Sequence, residues 1–337
     1  MPLVTPNNNY LIGIHKQTNE STVGTVADYS VPVYSATLGP TYEDRRVEVT
    51  DAQAIQADAY KGLTSWSADV EVPAFARSLG VFLQTLWPTD TPTGTDPKTH
   101  TFSGLGAVQP WVAMYSEWPG AGAFEQTFGA GVATGLTFSA TAEGGPLRIG
   151  YTAIGKTPSV ANYTVTTADT LADGYFTLQA TGANVEADYD TPNVNPTTAI
   201  TNVTSVELSV TRDATPVQTV DGVSVNYLST GRVVPAGTME VVYDSWDMYR
   251  ASYFGAVAGS TVSPTIVKGA LDLNFKHSTD AAVTFELYVP SVQFKVDPPT
   301  PSPSGDALSQ SVTLNVMKPT TGDHVQPILV NHVTTTY

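Results

Sequence analysis

The sequence predicts a mainly β protein made of two tandem β-sandwich or barrel modules, each with one flanking α-helix, plus a long loop and terminal arms. Three observations support this fold class. Only 14% of the 337 residues are charged, and Thr, Val, Ala, Gly and Pro take up the difference, which is typical of strands joined by turns. A strand that runs directly into an amphipathic helix occurs twice, and a hairpin follows each helix.

The first strand–helix unit occupies residues 62–87. Up to Pro73 apolar and polar residues alternate, as they do in a half-buried strand. Beyond it Phe75, Leu79 and Phe82 recur at helical spacing, and proline suits the first turn of a helix. We expect these three side chains to pack the helix on the core of the first module.

The second unit occupies residues 237–255. Its alternating strand leads into a helical stripe formed by Trp246, Tyr249 and Tyr253. When the two units are aligned, Trp246 takes the place of Phe75. We therefore expect the three aromatic side chains to form the core helix of the second module.

The hairpins lie at residues 132–155, with a turn at 143–146, and at residues 271–287, with a turn at 277–280. More residues separate helix from hairpin in the first half than in the second. We interpret this as an internal duplication with a loop, residues 88–130, inserted in the first copy. The alternative is that any two strand–helix–hairpin units look alike in such patterns.

The predicted domain organisation follows from these repeats. Its parts are an N-terminal arm at 1–30, module 1 at 31–156 with its inserted loop, an intermediate strand and linker zone at 157–200, and module 2 at 201–337 with a C-terminal strand or arm.

The inserted loop carries a cluster of large side chains. These are Trp111, Met114, Tyr115 and Trp118. A loop this long is unusual in a compact domain unless it has a function, and exposed aromatic residues favour an interaction surface. We expect a self-assembly loop, and the alternative is a satellite hairpin packed on its own domain.

The net charge of −16 argues against a nucleic-acid-binding protein, which needs a basic surface. The sequence has no cysteine, and therefore neither disulfides nor thiolate chemistry. No signal peptide and no apolar run long enough to cross a membrane is visible, so we expect no membrane anchor and synthesis in a cytoplasm.

No catalytic, cofactor-binding or metal-binding residue is predicted, and the chain is not expected to be an enzyme. No two histidines have the helical spacing of a zinc motif; they are His15, His100, His277, His324 and His332. The acidic run Glu186, Asp188 and Asp190 could hold Ca²⁺, but a solvated strand edge is the more common explanation.

Several segments, in their order along the chain, resemble the major tail tube proteins of bacteriophages with long, non-contractile tails. They are the stretch 11–25 with its E-S-T-V-G-T motif, the helix segment 77–80, the hairpin 135–155, and the C-terminal segments 269–273, 288–294 and 327–331. The resemblance implies a β-sandwich with one flanking helix, a long loop and terminal arms.

The resemblance also implies a function. Family members assemble into stacked rings that form a hollow tube in the virion, and DNA passes through the lumen without specific binding. Single-module members form hexameric rings, and duplicated members form trimeric rings with pseudo-sixfold symmetry, which we expect here. The implied partners are other copies of the chain, a tape-measure protein, a tail terminator and tail-tip proteins.

Two other functions stay open at this point. A tandem β-sandwich adhesin or receptor-binding module would use Trp111 and Trp118 in a ligand cleft. A carbohydrate-active enzyme would need two carboxylates facing each other across a groove, and no such pair can be named from the sequence.

Overall fold

The computed structural model describes residues 10–24, 26–47, 58–118, 124–159, 163–178, 185–218, 225–298 and 308–337. Within these residues 19 strands are connected in one sheet, accompanied by two α-helices and a short 3-10 helix. Strands make up 58% of the chain and helices 6%, so the predicted fold class is confirmed.

The first half of the chain contains nine described strands and one helix. The strands are β1 Leu11–Gln17, β2 Val26–Pro32, β3 Ser35–Val47, β4 Asp58–Pro73, β5 Thr89–Thr93, β6 Lys98–Ser103, β7 Trp111–Trp118, β8 Phe124–Thr141 and β9 Arg148–Ser159. The helix α1, Leu79–Gln84, follows β4.

The second half contains the other ten strands. These are β10 Thr164–Ala168, β11 Phe176–Thr177, β12 Val185–Asp188, β13 Thr198–Ala199, β14 Val203–Gln218, β15 Val225–Val242, β16 Gly269–His277, β17 Thr284–Val296, β18 Ser309–Val316 and β19 Gln326–Asn331. The helix α2, Asp247–Phe254, follows β15, and the 3-10 helix is Leu171–Asp173. Strand β10 runs parallel to β2, whereas the other described pairings are antiparallel.

Six pairings of the first half recur in the second half. The pairs β1–β2, β1–β7, β3–β4, β4–β9, β7–β8 and β8–β9 correspond to β12–β13, β12–β16, β14–β15, β15–β18, β16–β17 and β17–β18. The helices occupy equivalent places, because each follows the strand that ends the long hairpin. We call these two sets of elements copy 1 and copy 2.

The repeat holds residue by residue. One row of directly opposed residues across copy 1 is Ala36, Val70, Tyr151 and Leu136, and its counterpart across copy 2 is Val206, Met239, Val312 and Val296. At the end of the same strands Ala74 N–H donates to the carbonyl of Leu147, and Tyr243 N–H donates to that of Leu308. The backbone pairing of copy 1 is therefore repeated in copy 2.

Both predicted hairpins are present, but they are not each other's counterparts. The first is β8–β9 and the second is β16–β17, whereas the counterpart of β8–β9 is β17–β18. Alternation with a period of two is the same in every half-buried strand, so the pattern located the strands without showing which of them correspond.

The segment 88–130 is not an inserted loop, because most of it forms β5, β6, β7 and the beginning of β8. Among the described strands of this segment, only those of the β5–β6 hairpin have no counterpart in the described part of copy 2. Strand β6 pairs with β19, the last strand of the chain, so this hairpin joins the sheet of copy 2.

Part of the predicted N-terminal arm is also strand. Residues 1–9 lie outside the described residues, but β1 and β2 pair with each other, and β1 pairs with β7. The intermediate zone 157–200 contains β10 and β11, followed by β12 and β13, which begin copy 2.

The two copies share one hydrophobic core. A single cluster of buried residues includes side chains from both, and the rings of Phe138 in copy 1 and Phe285 in copy 2 lie 5.6 Å apart. Helix α1 packs on the core of copy 1, where the ring of Phe82 meets that of Tyr151 edge to face at 5.2 Å. The copies are therefore fixed relative to each other by shared packing.

Candidate assembly surfaces

The joint between the two copies is a strand pairing. The second half of β8 pairs antiparallel with β14, from Gly135 opposite Thr211 to Thr141 opposite Ser205, and Leu136 faces Val210. The counterparts of these strands are β17 and β3. In the described part of the chain β17 and β3 do not pair with each other, so each offers an edge where its counterpart has a partner.

Burial of side chains reflects this difference. On β14, which lies between two strands, Val206, Leu208 and Val210 are at most 2% exposed. On β3 the counterparts Ala36 and Leu38 are only partly buried, although both pack against the core cluster. The β3 edge therefore leaves apolar surface accessible that the equivalent edge of β14 covers.

The matching edge of β17 is formed by its second half. The first half of the strand has neighbours on both sides, β16 and β19. Beyond Val292 it pairs with β18 alone among the described strands. Backbone groups at residues 293–296 therefore face outward on one side, which is the arrangement that allows another strand to be added.

The eight strands β3, β4, β9, β8, β14, β15, β18 and β17 are neighbours in this order, and one face of them is polar. Charged side chains on this face that are not buried include Asp69, Glu71, Arg148, Glu207, Glu240 and Lys295. Arg148 bridges Glu71 at 2.9 Å, and this carboxylate raises the pKa of the Arg148 guanidinium. Carboxylates outnumber basic groups among these six, so the face is acidic.

A family model described as phage tail tube protein matches residues 12–317, which is most of the chain. The chain belongs to the phage tail tube protein family. It is therefore a structural tail tube protein and a component of the virion tail, and members of this family assemble into a tube together with other tail proteins. A search of curated proteins gives no match.

The large side chains predicted to form a self-assembly loop of this tail tube protein lie on β7. Met114 and Tyr115 are fully buried, and the Tyr115 hydroxyl donates to the carbonyl of Gly24 at 2.8 Å. Burial raises the pKa of Tyr115. Trp111 is partly exposed beneath the ammonium of Lys156, and the side chain of Trp118 lies outside the described residues. The predicted exposure is therefore wrong for Met114 and Tyr115.

The side chains predicted to form the core helices differ between the copies. Phe75, Leu79 and Phe82 are at most 1% exposed, although Phe75 precedes the helix. Tyr253 on α2 is 37% exposed and Trp246, which immediately precedes this helix, is 47% exposed, so their predicted place in the core is wrong.

The buried residues of α2 are Met248 and Ala251, the counterparts of Leu79 and Phe82 in the strand alignment. The aromatic residues of α2, including the half-buried Tyr249, instead form a chain of ring contacts along the helix. The sequence alignment followed the large aromatic rings instead, because the small Ala251 contributes little to the hydrophobicity of a helical stripe.

Four histidines of the tail tube protein have structural contacts, namely His15, His100, His277 and His332. His100 is fully buried, with Nδ1 3.0 Å from Asp90 and Nε2 2.9 Å from the carbonyl of Val333. Among the described residues no group of three or more His, Asp or Glu side chains could hold a metal ion. In the same residues no helix is long and apolar enough to cross a bilayer.

Proposed function

We propose that this chain assembles head to tail into a closed ring, and that stacked rings form the hollow tail tube through which viral DNA passes. The observation that supports the proposal is the β8–β14 joint, whose counterpart strands β17 and β3 have open edges in the same chain. If β17 of one chain pairs with β3 of the next, every joint in the ring has the same geometry. A head-to-tail interface of this kind generates a ring when its rotation closes.

The ring contains three chains. Each chain supplies two copies, and three chains supply six copies in pseudo-sixfold arrangement. The open edges then disappear, because the eight-strand sheet of each chain continues into the next and closes as a barrel. A hexamer of chains is the alternative, and it would place twelve copies around the axis.

The register of the joint between chains follows from the joint within the chain. Gly135 faces Thr211, and the counterparts are Lys295 of one chain and Thr41 of the next. Beside this pair Val296 faces Pro40, which has no N–H, so the joint has one donor fewer at that position.

The acidic face of the eight-strand sheet lines the lumen in this arrangement. DNA phosphates are repelled by carboxylates and bound by Lys and Arg, so an acidic wall lets DNA pass without holding it. Nothing in this role requires chemistry, a cofactor or a metal ion.

The remaining assignments are proposals of the same kind. The repeating unit comprises copy 1 and copy 2, with β1–β2 and β12–β13 as the first strands of each. Trp111 and Trp118 contact a neighbouring ring, while Met114 and Tyr115 support them from the interior. The tape-measure protein, tail terminator and tail-tip proteins are the other partners, and the protein is made in the host cytoplasm.

A disulfide between chains tests the joint, because the natural sequence has no cysteine. Directly opposed residues in antiparallel strands have Cα atoms about 4.5–5.5 Å apart, within the reach of a disulfide. The variant Thr41→Cys/Lys295→Cys is expected to give covalent trimers after mild oxidation, seen on a non-reducing gel.

The matched control is Thr41→Cys/Thr313→Cys. Thr313 faces Lys295 from β18, one strand further from the joint, at about 10 Å from Thr41 and beyond disulfide reach. Tubes in negative-stain micrographs without covalent trimers in the first variant would show that another interface closes the ring. Particles that stay monomeric at every concentration, with no disulfide, would contradict self-assembly of the chain alone.

A further inference from the structure

The two long hairpins have a bulge at the same position. In β3–β4 the register shifts between Tyr42 and Asp44, and in β14–β15 it shifts between Arg212 and Ala214. A bulge bends a hairpin and re-aims the side chains next to it. Tyr42 and Arg212 are therefore equivalent residues, each at the point where its hairpin turns away from the eight-strand sheet.

Within the chain, Arg212 reaches across the joint between the copies. Its Nη1 donates to the carbonyl of Ala107 at 3.3 Å, in the connection that precedes β7. Its own hairpin holds the guanidinium in place, through Nε to the carbonyl of Gly231 at 2.9 Å and Nη2 to the hydroxyl of Thr230 at 3.1 Å. A cleft of about 300 Å³ lies between this hairpin and residues 106–109.

The counterpart of the connection before β7 is the connection before β16, residues 255–268. It carries two exposed apolar side chains, Val262 at 68% and Ile266 at 60%. Tyr42, at the position of Arg212, is itself 63% exposed. The joint within the chain pairs the guanidinium of Arg212 with the carbonyl of Ala107. At the equivalent positions beside the open edges, the exposed groups are the phenol ring of Tyr42 and the aliphatic side chains of the connection before β16.

We propose that Tyr42 of one chain packs against Val262 and Ile266 in the connection before β16 of the preceding chain, the one whose β17 pairs with its β3. This contact rests on the proposed ring, because it follows when the joint between chains repeats the geometry of the joint within the chain. The partner of Tyr42, and equally of the connection before β16, is therefore a second copy of this chain. Burying an aromatic ring against aliphatic side chains stabilises the joint by removing apolar area from water.

The contact also makes the two kinds of joint chemically different. In the joint within the chain the guanidinium of Arg212 donates a hydrogen bond to the other copy. In the joint between chains the ring of Tyr42 makes an apolar contact instead. An apolar contact strengthens association without requiring a charge partner, whereas Arg212 is held by hydrogen bonds that its own chain supplies. Two chemically different joints require different side chains at equivalent positions, and Arg212 and Tyr42 differ in this way.

Cross-linking with a short bismaleimide tests the contact in the otherwise cysteine-free chain. The variant Tyr42→Cys/Ile266→Cys is expected to give linked neighbouring chains in assembled protein and no linked product in dilute, unassembled protein. The control Tyr42→Cys/Val108→Cys places the second cysteine on the 91% exposed Val108 of the other connection, and no linked product is expected from it.

The outcome separates this inference from the proposed function. If Thr41→Cys/Lys295→Cys gives its disulfide and Tyr42→Cys/Ile266→Cys is not linked, the ring is closed by strand pairing and the Tyr42 contact is overturned. If neither pair reacts, the proposed joint fails and the contact fails with it. Equal linking of Tyr42→Cys to position 108 and position 266 would also overturn the contact, because it would show no preference for the connection before β16.

Discussion

At the scale of single residues, Trp66 determines which residues its neighbouring strands can carry. The side chain is fully buried, and its indole N–H donates to the carbonyl of Gly129 at 2.7 Å. A Cβ atom added at Gly155 would lie 2.2 Å from the indole ring, and one at Gly131 would lie 2.3 Å from it. Both glycines are therefore needed for close approach, and no turn explains them.

We expect Gly155→Ala to lower the free energy of unfolding by about 1–3 kcal/mol, because the ring has to move in a packed core. Urea unfolding of the unassembled protein measures this. Gly150→Ala on the same strand is the control, since its added Cβ would meet Thr137 at an ordinary 3.5 Å. Equal free energies of unfolding for the two variants would show that the core around Trp66 can accommodate the added methyl group without losing stability.

The alternation predicted for the strand up to Pro73 is enough to place Trp66 with the apolar residues on its buried face. It did not predict the role of the glycines. Gly131 and Gly155 lie far from Trp66 along the chain, and their closeness depends on which strands pair. Tyr115 was misplaced for a similar reason, because β7 is covered by residues from the N-terminal strands.

At the scale of secondary-structure elements, three neighbouring strands bring carboxyl groups together. Glu186 on β12 faces Asp272 on β16, and Glu286 on β17 lies diagonally across from it. Asp272 is 4% exposed, and its Oδ2 accepts a hydrogen bond from the side chain of Asn274 at 2.9 Å. Burial, followed by the charges of Glu286 and Glu186, raises the pKa of Asp272 to about 7.

This cluster predicts how stability depends on pH. The folded state holds the proton of Asp272 more tightly than the unfolded chain does. Protonation of Asp272 therefore stabilises the folded state, fully below about pH 4, and this stabilisation is lost as the pH rises to about 7. Burial, followed by the charge of Glu186, also raises the pKa of Glu286, which Lys276 opposes. Burial, followed by the charges of Asp272 and Glu286, raises the pKa of Tyr288, so these neighbouring groups act in the same direction.

We expect Asp272→Asn to unfold at a higher temperature than the natural protein at pH 8 and at nearly the same temperature at pH 4. The difference at pH 8 is on the order of a few kcal/mol, since the variant removes a buried charge and retains an acceptor for Asn274. Thermal unfolding at the two pH values measures it. A variant that is destabilised equally at pH 4 and pH 8 would contradict the raised pKa of Asp272.

Strands and hairpins were largely predictable, because alternation and turn residues are local properties. Their correspondence between copies was not. The sequence alignment matched Phe75 with Trp246, whereas the backbone pairing matches Leu79 with Met248 and places Trp246 at the surface. The large Tyr253 of α2 is exposed whereas Met248 and the small Ala251 are buried, so side-chain size alone is a poor guide to the buried face of this helix.

At the scale of the whole molecule, the acidic face of the eight-strand sheet is expected to control the passage of DNA. We expect tubes of Glu207→Lys/Glu240→Lys to form and to retain double-stranded DNA at low salt, with retention lost as salt is raised. Co-sedimentation of tubes with DNA measures this. The control is Glu143→Lys in the turn between β8 and β9. Tubes of the double variant that retain no more DNA than the control would place this face outside the lumen.

The sequence indicated a duplicated tail tube protein, and the structure adds how the copies join. No local pattern marks the pairing of β8 with β14, because it depends on two strands from different copies meeting edge to edge. The open edges of β3 and β17 could not be recognised in the sequence for the same reason. They become visible only when a strand with a partner is compared with its counterpart.

A cryo-electron microscopy reconstruction of assembled tubes would show which strands join neighbouring chains. We expect rings of three chains in which β17 of each chain is hydrogen-bonded to β3 of the next, with Thr41 opposite Lys295 and the acidic face toward the lumen. A ring in which the β3 edge faces solvent, or in which chains join through another pair of strands, would contradict it.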